Sequence, residues 1–148
     1  MLEEYSERIR KWLEEEGLEP TIKPDQNTKI TFNVKSGQNV ISIGFHKTST
    51  DSVIIGTGIE FNEDEQKMLK FLKTKNDILL DLQKFLIQMH LEPTFKWNEN
   101  KDSFEKISFQ KTIYFDGLTK NKFYEILADV FQSINVVREG FLHLGRTT

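Results

Sequence analysis

A chain of 148 residues carrying a net charge of −3, with 29% charged and 37% hydrophobic residues, has the size of one α+β domain spanning 1–148. It contains no cysteine, which excludes disulfides and thiolate metal sites and points to the cytoplasm. No apolar run approaches the ~18–20 residues of a membrane span, the acidic start Met1–Glu4 has the wrong sign for a secretory leader, and interspersed charges argue against a nucleic-acid or anionic-membrane partner.

Leu2, Tyr5, Ile9, Trp12 and Leu13 recur at helical spacing, which predicts an amphipathic first helix over 2–16. Gly17 supplies its left-handed C-cap, and Leu18 can fold back as the accompanying apolar contact. Pro20 and Pro24 bracket a short extended piece. Ile30, Phe32 and Val34 then alternate with polar residues, followed by Ile41, Ile43 and Phe45 and by Val53, Ile55, Thr57 and Ile59. Short polar turns between these runs predict an antiparallel meander.

Asn62 with Glu65 forms a capping-box signature for a helix reaching Leu91, where Glu92-Pro93 must stop it. One continuous helix of that length would extend about 43 Å, so a break near Thr74–Asp77, with Asn76 as a second cap, is the alternative. Thr94–Trp97 and Phe104–Phe115 read as a hairpin. Thr119 caps a last helix, with Leu118 and Phe123 placed as a hydrophobic staple, and its apolar repeat runs from Phe123 through Leu144.

The expected architecture is α+β: an antiparallel sheet with helices packed on one face, in the order α-β-β-β-α-β-β-α, with one extra short strand allowed after the first helix. This order, with segments such as Lys11-Trp12-Leu13-Glu14-Glu15-Glu16-Gly17, Ile41-Ser42-Ile43-Gly44-Phe45 and Asp116-Gly117-Leu118-Thr119, resembles the type III secretion chaperone-like fold, which includes YbjN-like proteins. An uncharacterised archaeal family of that architecture is similar over nearly the whole chain. The resemblance implies a dimeric module that binds a peptide or protein client, and it transfers no individual functional residue.

Chemistry is thinly signalled. Gly56-Thr57-Gly58 lacks the third glycine and the following helix of a dinucleotide fingerprint, so it reads as room for a bulge or a close approach. His46, His90 and His143 lack the spacing of a helical metal pair, and His90 reads as support for a helix C-terminus. No Gly-x-Ser-x-Gly or Walker-type loop occurs, and no cofactor, metal or catalytic residue is assigned. The sheet face carrying Thr31, Asn33, Ser42, Gly44, His46, Ile54, Gly56 and Gly58 is built mostly of small side chains, either a solvated face or a shallow trough. Lys111 falls on the inward set of its strand, as in an edge strand guarded by a charge.

Two helices give sharper signals. On the long helix Leu69, Leu80 and Ile87 stand apart from the main stripe of Met68, Leu72, Leu79, Leu82, Leu86 and Met89, which predicts a second neighbour: the last helix of the same chain or a partner subunit. On the last helix Arg138 lies inside the apolar arc, where it either snorkels to water or pairs with an acid. The expected function is therefore a small protein- or peptide-binding homodimer using Leu69, Leu80, Ile87 and Arg138. The alternative is a small-ligand protein or enzyme, which a deep pocket enclosing Arg138 with acids would favour.

Overall fold

The computed structural model describes residues 2–22, 28–36, 39–46, 51–71, 75–99 and 103–147. Helix α1 (Leu2–Glu15) is followed by strands β1 (Thr21–Ile22), β2 (Thr28–Ser36), β3 (Asn39–His46) and β4 (Ser52–Glu60). Helices α2 (Glu63–Phe71) and α3 (Lys75–Gln88), strands β5 (Glu92–Trp97) and β6 (Phe104–Tyr114), a single 3-10 turn (Phe115–Gly117) and helix α4 (Lys120–Thr147) complete the chain. The strands form one antiparallel sheet in the order β1-β2-β3-β4-β6-β5. The extra strand is β1, at one edge, and Pro93 sits in β5 at the other, an edge strand being where a proline is tolerated in a sheet.

The chain divides into two compact units, one of residues 1–57 with 110–130 and one of 58–109 with 131–148. In the first, Phe32 stands opposite Ile43 and Ile43 opposite Ile55, so the alternation of three strands puts their apolar residues on one buried face. A chain of rings joins that face to α1. Phe32 meets Phe45 edge-on at 6.3 Å, Phe45 meets Phe115 at 6.1 Å, and Phe115 stacks on Tyr5 at 4.2 Å. Trp12 approaches Phe123 at 5.6 Å, which ties α1 to α4.

The local signals for the ends of α1 and α4 act as anticipated. Gly17 takes φ 74°, the Leu18 N–H donates to the Leu13 carbonyl at 2.9 Å and the Gly17 N–H to Glu14 at 3.0 Å, a Schellman closure of α1. The Glu16 N–H turns to Leu13 instead of Trp12, and the freed Trp12 carbonyl accepts from the Tyr124 hydroxyl at 2.7 Å. Thr119 Oγ1 accepts from the Lys122 N–H at 3.1 Å at the start of α4, with Leu118 and Phe123 both buried as a staple requires.

In the second unit Asn62 and Glu65 exchange both bonds of a capping box, at 2.8 and 3.1 Å. The helical region is described as α2 and α3, and residues 72–74, on which the question of continuity rests, lie outside the described residues. Asn76 lies inside α3 instead of capping it, since that helix begins at Lys75. Its end is earlier than Leu91 because His90 adopts φ 60°. The Leu91 N–H then reaches the Leu86 carbonyl at 2.9 Å and the His90 N–H reaches Ile87 at 2.9 Å, a second Schellman closure with histidine in the usual glycine place. Leu86 and Leu91 are both buried, which anchors the turn. The β5-β6 hairpin brings Trp97 against Phe104 with ring centroids 4.0 Å apart and planes tilted by 49°, and Ser103 donates to the Gln66 carbonyl at 2.8 Å.

Candidate functional site

Helix α3 separates its side chains by depth. Leu82 and Leu86 are buried and Leu79 and Phe85 half-buried, as one face of a packed helix demands. Leu80 and Ile87 are 50% and 55% exposed. Seven residues turn a helix by about 700°, so these two side chains lie within ~20° of each other and two turns apart, in the middle of the solvent face. Asp77, Asp81, Gln83 and Lys84, all exposed, surround them.

The last helix does not cover this stripe within the second unit. Gly140 of α4 comes so near Leu82 that a Cβ built on it would stand 3.5 Å from Leu82 Cδ2, and Leu82 is about 160° round α3 from Leu80. Of the two neighbours that the second seam admitted, the last helix therefore meets the main stripe. Leu69 lies on α2, and its side chain is outside the described residues, as is its angular relation to Leu80, which depends on 72–74.

Arg138 sits on α4 half-buried, with Nε buried and without a hydrogen-bond partner. It forms no ion pair among the described residues, so no acid of the described chain answers its charge. The half-buried side chain thus carries one unsatisfied buried donor.

Two hollows are described, each within one unit. The larger, about 560 Å³, is lined by Arg10, Glu14, Leu18, Pro20, Ile22 and Phe32. Arg10 is held there by ion pairs to Glu7 and Glu14, which raise its pKa, chiefly through the Glu7 hydrogen bond, and lower that of Glu7. These are same-helix pairs on an exposed face, so the shifts report surface pairing and carry no catalytic signal. The smaller hollow, about 260 Å³, is lined by Glu60, Phe61, Gln66, Lys96, Glu105 and Lys106. Its Lys96 and Glu105 pair at 3.3 Å and Gln66 donates to the Phe61 carbonyl at 2.9 Å, so its polar groups are largely engaged with one another. Arg138 lines neither hollow.

Among the described residues no group of three His, Asp or Glu side chains converges as metal ligands. His90 serves the α3 terminus, and the side chains of His46 and His143 are outside the described residues.

The small-residue sheet face assembles in the first unit as a cross-strand row, Thr21 opposite Asn33, Asn33 opposite Ser42 and Ser42 opposite Gly56. The Ser42 hydroxyl donates to Asn33 Oδ1 at 3.0 Å and the Thr21 hydroxyl to the Asn33 carbonyl at 3.3 Å, so this row spends its polarity on itself. In the second unit Gly58 has a specific reason. A Cβ there would overlap Lys106 Cε and lie 3.3 Å from Ser108 Oγ. The close approach is thus made by a neighbouring strand's side chain, and the space belongs to a lysine stem. β6 lies between β4 and β5 in the sheet order, but β5 has six residues against eleven in β6, and the Asn98 N–H donating to the Ser103 carbonyl at 2.9 Å sets a register in which Lys111 falls past the end of β5.

Exposed Ile22, Tyr114, Trp97 and Val40 were not singled out by periodicity. Ile22 and Trp97 stand on the short edge strands β1 and β5, where a core-patterned residue can lack a covering neighbour. Among the described residues no helix is long and apolar enough to cross a membrane.

The sheet and helix order define an α+β fold of the type III secretion chaperone-like kind. The chain belongs to an uncharacterized conserved protein family, DUF2299, whose pattern matches residues 5–141. Among solved structures it is similar to an uncharacterized protein from Methanothermobacter thermautotrophicus, with a TM-score of 0.83 at 21% identity over 93% of this chain and 96% of that one. It is also similar to YbjN, a candidate transcription regulator from E. coli, with a TM-score of 0.52 at 11% identity over 95% and 91% of the two chains. A chain of the HopA1-SchA chaperone-effector complex gives 0.57 at 12% identity over 91% and 93%. These likenesses show the fold. No curated protein matches the sequence.

Proposed function

We propose that the protein is a cytoplasmic protein- or peptide-binding module that acts as a homodimer, with the exposed face of α3 as a protein-contact surface. The observation that carries this reading is the pair Leu80 and Ile87, half-exposed and aligned on a helix where Leu79, Leu82, Phe85 and Leu86 are buried or half-buried. Two branched aliphatics on one solvent stripe are the spacing with which a helix presents itself to another helix or to a groove. The fold likeness to a chain of a chaperone-effector complex supports a protein client. Leu69 on α2 and Arg138 on α4 are further contact candidates. Arg138 suits a client carboxylate, since its guanidinium forms no ion pair among the described residues.

Affinity capture of the tagged chain from its native lysate, read by mass spectrometry against a Leu80→Glu/Ile87→Glu variant, tests this reading. A stoichiometric protein partner retained by the wild type and lost by a folded variant is the expected result. Equal recoveries from the two proteins would remove α3 from the binding surface.

A further inference from the structure

The C-terminal end of α1 breaks a local rule of helix electrostatics. A helix ends on partial negative charge and favours basic residues there, yet the last turn of α1 has none. The chain instead runs Glu14-Glu15-Glu16 into the Schellman turn, with Glu19 just beyond. Departures of this kind are expected where function, and not folding, sets the residue. Two of these acids are answered within the first unit, Glu15 by Lys120 and Glu14 by Arg10 at 3.1 Å. Arg10 is shared with Glu7, so that trio keeps one excess negative charge, and Glu19 enters no ion pair among the described residues.

The larger hollow opens at this end of α1, and its apolar part is unfinished. Ile22 stands opposite Phe32 in the sheet register, and directly opposed residues of antiparallel strands share a face. Ile22 therefore belongs to the apolar face that Phe32 shares with Ile43. Phe32 is buried there, but Ile22, beside Leu18 and Pro20, is left 66% exposed. The hollow of about 560 Å³ thus joins an uncovered aliphatic group to a border of Glu7, Arg10, Glu14 and Glu19, three acids against one base. Its volume falls in the range of roughly 300–1,000 Å³ that small-molecule sites occupy.

We infer that this hollow binds a linear aliphatic polyamine. A methylene chain that carries ammonium groups at intervals matches both of its properties. The methylenes cover Ile22, Leu18 and Pro20, while the ammonium groups answer Glu19 and the excess charge of the Glu7, Arg10 and Glu14 trio. A bare divalent cation would answer the acids and leave Ile22 in water, and no three acids converge as metal ligands among the described residues. A neutral apolar molecule would cover Ile22 and leave Glu19 unanswered, and an anionic one would be repelled. The carboxylates are exposed, so the attraction is screened and binding weakens as salt rises. The hollow lies wholly in the first unit and α3 wholly in the second, so this site stands or falls independently of the α3 surface.

Spermidine is the probe. Titrated into the isotope-labelled full chain at low ionic strength, it should give one saturable set of amide NMR shifts centred on Gly17, Leu18, Glu19 and Ile22. Magnesium chloride at matched ionic strength should not reproduce them. Ile22→Ser removes the apolar contact at an exposed position without changing charge, and Glu19→Gln removes one carboxylate. Each should weaken spermidine binding by about fivefold or more, whereas Glu92→Gln, at an exposed acid of β5, should leave it within about twofold of wild type. Arg10→Gln takes away the cation already at the border and should tighten binding about threefold, a direction that general damage to the fold would not produce. Circular dichroism checks the helix content of each variant. Ile22→Ser binding as tightly as wild type, magnesium reproducing the shifts, or no saturation by about 10 mM spermidine would overturn the inference. A lysine-rich peptide that moves these amides when spermidine does not would overturn it as well, and would make the hollow a peptide groove.

Discussion

Replacing Tyr124 by Phe removes one oxygen at the point where α4 holds the end of α1. The Trp12 carbonyl is one of the C-terminal carbonyls of α1 that the helix cannot satisfy, and the Tyr124 hydroxyl donates to it at 2.7 Å. The ring itself stays useful, since it packs near Phe123 at 6.0 Å, so the loss is confined to the hydrogen bond. Both Trp12 and Tyr124 are half-buried, which allows water to restore part of the bond, and the cost is about 1 kcal/mol. For a chain of this length that lowers Tm by about 3 °C and moves the urea midpoint with no change in slope.

The same contact has a pH signature. Burial pushes the Tyr124 pKa above its usual value, against the downward pull of Lys120. A phenol whose folded pKa is raised favours folding while it stays neutral. Its contribution is intact below the unfolded pKa of about 10 and is lost as pH rises through the higher folded value, where a phenolate also has no proton to give Trp12. Tyr124→Phe should therefore be less stable than wild type at pH 7 and lose less stability between pH 9 and 11. Urea titrations at both pH values measure this, and a variant equal to wild type at pH 7 with an identical alkaline limb would refute the capping role.

The two Schellman closures predict opposite signs for exchanges at one structural position. Gly17→Ala, at φ 74°, should cost about 1 kcal/mol, whereas His90→Gly, at φ 60°, should gain about that amount less the extra freedom of the unfolded chain, both read by thermal denaturation. Gly58→Ala should change stability by under ~0.5 kcal/mol despite the crowding, because the group in the way is the flexible end of Lys106. A loss above ~2 kcal/mol in urea would show that Lys106 cannot move aside.

What was legible in the sequence follows the reach of each signal. Caps are local, so Gly17, Asn62 with Glu65, and Thr119 could be assigned from a few residues, and the structure closes the helices there. Alternation is also local, and Phe32, Ile43 and Ile55 fall on the buried face because a period of two leaves no other choice once one face is apolar. The end of α3 was misplaced by three residues because a histidine in the left-handed region has no sequence signature, and Pro93 marks only the latest possible stop. The place of β6 between β4 and β5 was not legible, because strand order depends on pairing between distant segments, which periodicity does not encode. For the candidate site, the wheel separated Leu80 and Ile87 from the main stripe correctly. That α4 approaches α3 at Leu82 required coordinates.

The most direct measurement of the central claim is sedimentation equilibrium of the wild-type chain and of Leu80→Glu/Ile87→Glu over concentrations from about 1 to 500 μM, bracketing the micromolar range of a small helix-helix contact. For a homodimer that uses the α3 face, the wild-type mass climbs from one chain toward two while that of the folded variant stays at one. Indistinguishable masses for both proteins at every concentration would contradict it.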